Sequence, residues 1–236
     1  MPRLEWTVLS RGQIVCPAGV KLSHAYFPVS GIISLLHVLE DGATSESAVI
    51  GNEGMLGVAI FTGDNTTTSE GTVQNKGHAH MLPAQVLLEE FNRSELTRNR
   101  LLRYSQALLA FTMQTAICNR HHSLRQQLCR KLLLTLDRMP GNGVFTTHTE
   151  LASAIGVRRE GISEAAARLQ LAGAITYRRG RITVLDREAL EKCVCECYRV
   201  VRKEYERLEN LTTPPRRHVA YSTERRQRPR PTAPGN

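Results

Sequence analysis

Between Thr147 and Leu171 the chain reads THTELASAIGVRREGISEAAARLQL, and this stretch limits the fold more than any other. Thr147-His148-Thr149-Glu150 has the form S/T-x-x-E. In such a capping box the hydroxyl and the carboxylate each satisfy a backbone N–H that a helix start leaves free. Leu151, Ala152 and Ile155 then supply one apolar face. Gly156 is suited to the positive φ that ends a helix in a sharp turn. A second helix opens at Arg158-Arg159, with Ile162, Ala165, Ala166 and Leu169 facing inward. Two short helices about a tight turn, the second with a basic start, are predicted to form a helix-turn-helix. In that motif the start of the second helix enters the DNA major groove.

The residue types suit that task. Arg158, Arg159, Glu160, Ser163 and Glu164 fall on the outward face near the start of the second helix. Arginine donates two bonds to guanine, and glutamate accepts from cytosine. Arg158 has the alternative of gripping a phosphate, which positions without specifying. Tyr177-Arg178-Arg179-Gly180-Arg181 follows as a basic hairpin between strands Ala174–Tyr177 and Ile182–Leu185. Arg178, Arg179 and Arg181 are expected to meet backbone phosphate. With Thr147 at the start of the first helix, these are the candidate DNA contacts of a winged helix-turn-helix.

Charge is distributed accordingly. The chain has 236 residues and a formal net charge of +9. Residues 1–97 carry 5 Lys/Arg against 10 Asp/Glu, whereas residues 98–140 carry 8 against 1. A polyanionic partner is therefore expected on the back half only. No apolar run approaches the ~20 residues of a membrane span, and MPRLEWTVLSRG lacks the apolar core of a signal peptide. A cytoplasmic location with reduced thiols follows for Cys16, Cys118, Cys129, Cys193, Cys195 and Cys197.

The front of the chain is predicted to be β-rich from residue 13 to about 83. Ile32–Leu39 is a strand run, Glu40-Asp41-Gly42 a hairpin turn, and a second strand continues through Ala48-Val49-Ile50. Frequent glycines between short strands point to a small antiparallel roll. Ala84–Phe91 is a short helix. Residues 95–118 hold no Gly or Pro and carry Leu101, Leu102, Leu108, Leu109, Met113, Ala116 and Ile117 with seven-residue echoes. This is a candidate dimerisation helix, with packing on its own β-domain as the alternative. Asn119–Ser123 is a hinge capped by Ser123. Leu124, Leu128, Leu132 and Leu133 mark a further helix. Asp186 caps a last helix from Arg187 to about Leu211, and the Pro- and Arg-rich end from Thr212 is expected to be disordered. The fold class is α+β. The expected organisation is a roll at 1–97, a dimerisation helix at 98–120, a winged helix-turn-helix at 121–189, a helix at 190–211 and a basic tail at 212–236.

Other chemistries fit less well. His78-Ala79-His80 resembles the start of a cupin metal motif, but Ala84 and Gln85 stand where the later Glu is needed, so a strand with polar residues on one face is expected. On a continuous helix Cys193 and Cys197 share a face and Cys195 points away, so three thiols do not converge on one metal unless the helix unwinds. A Cys193/Cys197 pair is open to zinc together with a His or a partner chain, or to oxidation. The simpler expectation is that both fill the core and Cys195 is incidental. His121-His122 beside Cys118 is assigned to hinge and packing. No nucleophile elbow, phosphate-binding Gly loop or His-Glu-x-x-His is present. No enzyme activity, cofactor or metal is expected.

TELASAIGVRREGISEAAARLQLAGAI with its basic hairpin resembles the DNA-binding domain of the Crp–Fnr family of bacterial regulators. The roll, long helix and winged domain also come in that family's order, so the resemblance spans about residues 12–186. It implies DNA reading by Arg159 and Glu160. A later base-reading Arg of the family falls on Glu164, and Arg158 replaces a Ser that often opens the recognition helix, so a different half-site is implied. Only about ten residues precede Arg11-Gly12, where the family usually has a helix, which leaves the start short of the pattern.

The resemblance further implies a cyclic-nucleotide-type roll. Its Gly-rich turn falls on Gly51–Gly57, but its phosphate-binding Arg-Ser falls on Ser69-Glu70. No Arg or Lys lies between Lys21 and Lys76, so an anionic phosphate has no cationic partner there. Cyclic AMP is not expected to bind, Glu53 is a turn residue, and the effector is undefined. Cys16 alone near the N-terminus leaves no iron–sulfur site of the family's redox branch. The expected function is a homodimeric, DNA-binding transcriptional regulator, with RNA polymerase a candidate partner and no membrane. The alternative is a roll acting in signalling or metal binding, with a vestigial helix-turn-helix.

Overall fold

The computed structural model describes residues 4–209. The predicted basic tail from Thr212 lies outside them.

The front half is an antiparallel sheet. Its strands are β1 (Glu5–Leu9), β2 (Ile14–Cys16), β3 (His24–Val38), β4 (Thr44–Ile50) and β5 (Glu70–Pro83). The order is β1-β5-β3-β4, with β2 also on β5. β1 was not anticipated, although Glu5-Trp6-Thr7-Val8-Leu9 has strand-forming residues and sends Leu9 into the core. Asp41-Gly42 makes the expected hairpin, with Gly42 at φ +80°. β3 passes close to β5 at Gly77, where a Cβ would stand 2.1 Å from the Ser30 carbonyl oxygen. Only glycine fits there. Leu9, Ile32, Ile33, Ile50 and Met55 fill the roll. His78 and His80 flank Trp6, with ring centroids at 5.2 and 5.0 Å.

α1 (Ala59–Thr62) follows β4, and α2 (Ala84–Arg93) leaves the sheet. α3 (Glu95–His121) is 27 residues long and opens on Ser94, whose hydroxyl accepts from the Thr97 N–H. It splits the predicted apolar stripe. Leu101 faces its own core, and Leu108 packs half-buried against that core. Leu102, Leu109, Met113 and Ile117 are exposed, as is Ala116. The inward face therefore packs on the chain's own β-domain, and the outward face stands uncovered in the single chain.

Ser123 caps α4 (Leu124–Leu136) in a full capping box with Gln126. α4 is buried along most of its length and ties the halves together. Lys131 Nζ meets the Glu46 carboxylate of β4 at 2.5 and 2.7 Å, and both side chains are buried. Beyond the helix, Arg138 Nε donates to Glu53 Oε1 at 2.7 Å. Glu53 is thus a partner of the C-terminal half, not merely a turn residue.

The back half has a second sheet of β6 (Gly143–Phe145), β7 (Ile175–Arg178) and β8 (Arg181–Val184), in the order β6-β8-β7. α5 (His148–Ile155) and α6 (Arg159–Leu171) stand between β6 and β7. The single last helix predicted after Asp186 is two: α7 (Arg187–Cys193) and α8 (Glu196–Glu209). Val194 is extended at the break, with φ −69° and ψ 152°. The break reverses two expectations. Cys195 turns inward, 3% exposed, and Cys193 is left only partly buried. No Gly or Pro marks the position; the turn is made by packing Val194 and Cys195 inward. α8 runs antiparallel to α3, with Cys195 beside Cys118 at one end and Tyr205 against Phe111 two turns away.

Candidate nucleic-acid interface

Local chemistry builds the reader as the sequence implies. Thr147 Oγ1 accepts from the Glu150 N–H at 3.1 Å, and Glu150 Oε2 accepts from the Thr147 N–H at 2.7 Å. Gly156 closes α5 in the left-handed region, at φ +80° and ψ 41°, with its N–H on the Ala152 carbonyl at 2.8 Å. α6 then starts with Arg158 as its flanking residue, and no side chain caps it. Ile162, Ala165, Ala166 and Leu169 are buried beneath it.

The predicted contact residues outside the wing divide into three groups. Arg158, Arg159 and Glu160 are exposed together at the start of α6. Glu164 is exposed one turn on and is paired with Arg168 at 2.6 Å, a partner the sequence reading missed despite its i,i+4 spacing. Ser163 and Thr147 are engaged within the protein. Ser163 Oγ donates to the Arg159 carbonyl and lies 3.0 Å from His148 Nδ1, and the Thr147 hydroxyl serves the cap. These two side chains hold the reader's shape rather than standing free at its surface.

The wing is a two-residue hairpin. Arg179 and Gly180 take φ +47° and +73°, the pattern of a type I′ turn. Arg178, Arg179 and Arg181 are all exposed. The Arg181 guanidinium rests 5.0 Å over the Phe145 ring. The Thr146 N–H donates to the Gly180 carbonyl at 2.9 Å, which fixes the wing tip beside the start of α5. His148, unremarked in the sequence, stacks on Tyr177 at 4.3 Å and so joins α5, α6 and the wing. Its burial, and then the nearby Arg159 charge, lower its pKa.

The roll touches the reader. The Arg11 guanidinium reaches both carboxylate oxygens of Glu150, and Thr44 Oγ1 donates to the Ser153 carbonyl at 3.5 Å. Burial opposes ionisation of Glu150, but the Thr147 amide and Arg11 outweigh it and hold the carboxyl below the usual range.

Inside the roll, the cavity next to Ser69 measures about 100 Å³ and is lined by Leu22, Leu35, Ile50, Met55 and Leu108. Ser69 is buried and lies 3.0 Å from Thr67 Oγ1, while Glu70 Oε1 accepts from Thr72 Oγ1 at 2.7 Å.

Comparison with known proteins agrees with this geometry. A Crp-like helix-turn-helix domain matches residues 126–193, and a cyclic nucleotide-binding domain matches residues 6–94. The chain belongs to the Crp–Fnr family. Like that family it is a DNA-binding transcriptional regulator. No curated protein sequence matches it. Among solved structures, a CRP/FNR-family transcriptional regulator from Thermus thermophilus is similar at TM-score 0.66 and 21% identity, over 80% of this chain and 97% of that one. FixK2 from Bradyrhizobium japonicum is similar at TM-score 0.68 and 12% identity, over 81% and 98%. A putative crp/fnr-family regulator from Eubacterium rectale is similar at TM-score 0.66 and 18% identity, over 80% and 89%. At these identities the likeness shows the Crp–Fnr fold: antiparallel sheet, long helix, then helix-turn-helix.

Proposed function

We propose that this Crp–Fnr regulator binds a two-fold DNA site as a homodimer, and that its roll does not hold cyclic AMP. The observation that carries the reading is the joint exposure of Arg158, Arg159 and Glu160 beside the wing arginines Arg178, Arg179 and Arg181. Arg159 and Glu160 read base edges, together with Glu164, and Arg158 and the wing grip phosphate. Thr147 and Ser163 hold that surface in place. Dimerisation runs through Leu102, Leu109, Met113 and Ala116 of α3, an apolar row with no cover in one protomer. Half-sites then lie roughly one helical turn, ~34–36 Å, apart.

Two features support the absence of cyclic AMP. The cavity beside Ser69, where the family's phosphate-binding pair falls, is about 100 Å³, below the roughly 300–1,000 Å³ of small-molecule sites. No Lys or Arg lies between Lys21 and Lys76 to meet a cyclic phosphate. The protein acts by binding, in the cytoplasm, with RNA polymerase as the partner on the promoter. Among the described residues no helix is long and apolar enough to cross a membrane.

Selection of bound sequences from a random DNA pool tests the reading. A two-fold consensus is expected, with retardation of that fragment lost in the Arg159→Ala/Arg179→Ala variant. Unchanged retardation would favour the vestigial helix-turn-helix instead.

A further inference from the structure

We propose that Cys118, His122, Cys195 and Cys197 form a closed Cys3His site for one tetrahedral ion of the zinc class, which fastens α8 to the end of α3. The four donor atoms all lie within 4.8 Å of one another, and all three cysteines are buried. Cys118 Sγ and Cys195 Sγ are 3.6 Å apart, and Cys197 Sγ and His122 Nδ1 are 3.4 Å apart. Zinc at about 2.3 Å from sulfur and about 2.05 Å from nitrogen gives tetrahedral edges of about 3.8 Å and about 3.6 Å. A disulfide needs sulfurs about 2.05 Å apart. The group is also too compact for a two-iron cluster, whose ligand pairs sit on different metal atoms.

The surroundings are those of a ligand set. His122 Nε2 faces the Glu196 carboxylate at 3.4 Å, which leaves Nδ1 for the thiols. A carboxylate behind a ligating imidazole fixes its tautomer and orientation. Gln114 Nε2 donates to Cys197 Sγ at 3.1 Å. Gln127 Nε2 donates to the carbonyls of Cys118, Asn119 and His122, and so holds the turn that carries the histidine. Arg130 is 6% exposed, its Nε has no hydrogen-bond partner, and its charge acts on all three sulfurs.

Binding proceeds with a simple balance. Three thiols release three protons to solvent, and the ion takes three thiolates and a neutral imidazole. The resulting centre carries net charge −1, which the Arg130 guanidinium offsets. Cys118 and Cys195 are 77 residues apart. All of α4 to α7, the DNA reader included, lies within the loop that the ion closes. The site is therefore structural, and it sets how the reader sits on the long helix.

The test uses the full-length chain, purified reduced and without added metal. Elemental analysis is expected to find one zinc-class ion per chain. The stripped protein, titrated with Co(II) under anaerobic reducing conditions, is expected to show thiolate-to-cobalt charge transfer and intense tetrahedral d–d bands. Cys195→Ser and Cys197→Ser should each abolish the four-coordinate spectrum, and Cys193→Ser should leave it intact. Glu196→Ala, on an exposed residue that is not a ligand, should weaken affinity about 10–100-fold and keeps the test open if a cysteine variant misfolds. A wild-type chain without metal and without the cobalt band would overturn the proposal. So would a band unchanged by both cysteine variants, or iron with acid-labile sulfide in place of zinc.

Discussion

The guanidinium of Arg11, in the turn after β1, grips both carboxylate oxygens of Glu150 at 2.7 and 2.8 Å, across 139 residues of sequence. Glu150 thus serves two partners: the cap that starts α5, and the roll. Its carboxyl is held low, so the linkage favours folding above the ordinary glutamate pKa of ~4.3 and is lost as pH falls through the lowered folded value. In Arg11→Ala, NMR titration should find the Glu150 pKa raised, because burial is then opposed by the Thr147 capping bonds alone. Denaturant midpoints near neutrality should hardly move, since an exposed pair contributes about 0–1 kcal/mol. A Glu150 titration identical in both proteins would remove Arg11 from the linkage.

The Lys131–Glu46 pair is of a different kind, because both side chains are buried. Ser34 Oγ also donates to Glu46 Oε2 at 2.6 Å, so the carboxylate is well satisfied. Glu46→Ala strands the ammonium and should lower stability by about 3–5 kcal/mol in urea denaturation. Adding Lys131→Met should recover most of that loss. A double variant as unstable as the single one would show that the charges themselves are needed.

Arg179 sits at φ +47°, where a side chain strains the backbone by roughly 1–2 kcal/mol. Arg179→Gly should therefore raise stability by about 1 kcal/mol while weakening DNA binding. The slope of log affinity against log salt should fall by about 1, as expected for one lost phosphate contact. Equal affinity at all salt concentrations would place the wing tip away from DNA.

Leu109 and Met113 are each more than half exposed on α3. Leu109→Glu/Met113→Glu should give a monomer in sedimentation velocity with unchanged far-ultraviolet circular dichroism. Leu101→Ala, on the inward face, should instead destabilise the protomer by about 2–5 kcal/mol. A dimer that survives the double glutamate variant would move the interface off this face.

Features set by neighbours along the chain were legible from residues alone. The Thr147-x-x-Glu150 cap, the Gly156 turn, the Asp41-Gly42 hairpin and the Ser123 start of α4 each depend on side chains within four residues. What escaped depends on distant partners. Leu101 and Leu102 are equally apolar, and only the packed roll decides which turns inward. Ser163 looks free until His148 is folded against it. The break at Val194 has no local breaker, so the meeting of Cys195 and Cys118 is invisible to helical periodicity. The contacts of Arg11, Glu46 and Glu53 with the back half join residues separated by 85 or more positions.

Arg158 leaves α6 without a side-chain cap, so the amides of its first turn have no side-chain acceptor at the surface proposed to face DNA. A backbone phosphate seated there would supply that acceptor. The operator would then finish a piece of protein architecture. Part of the binding energy would appear as order gained in the recognition helix, and the free protein would fray first at the end that reads.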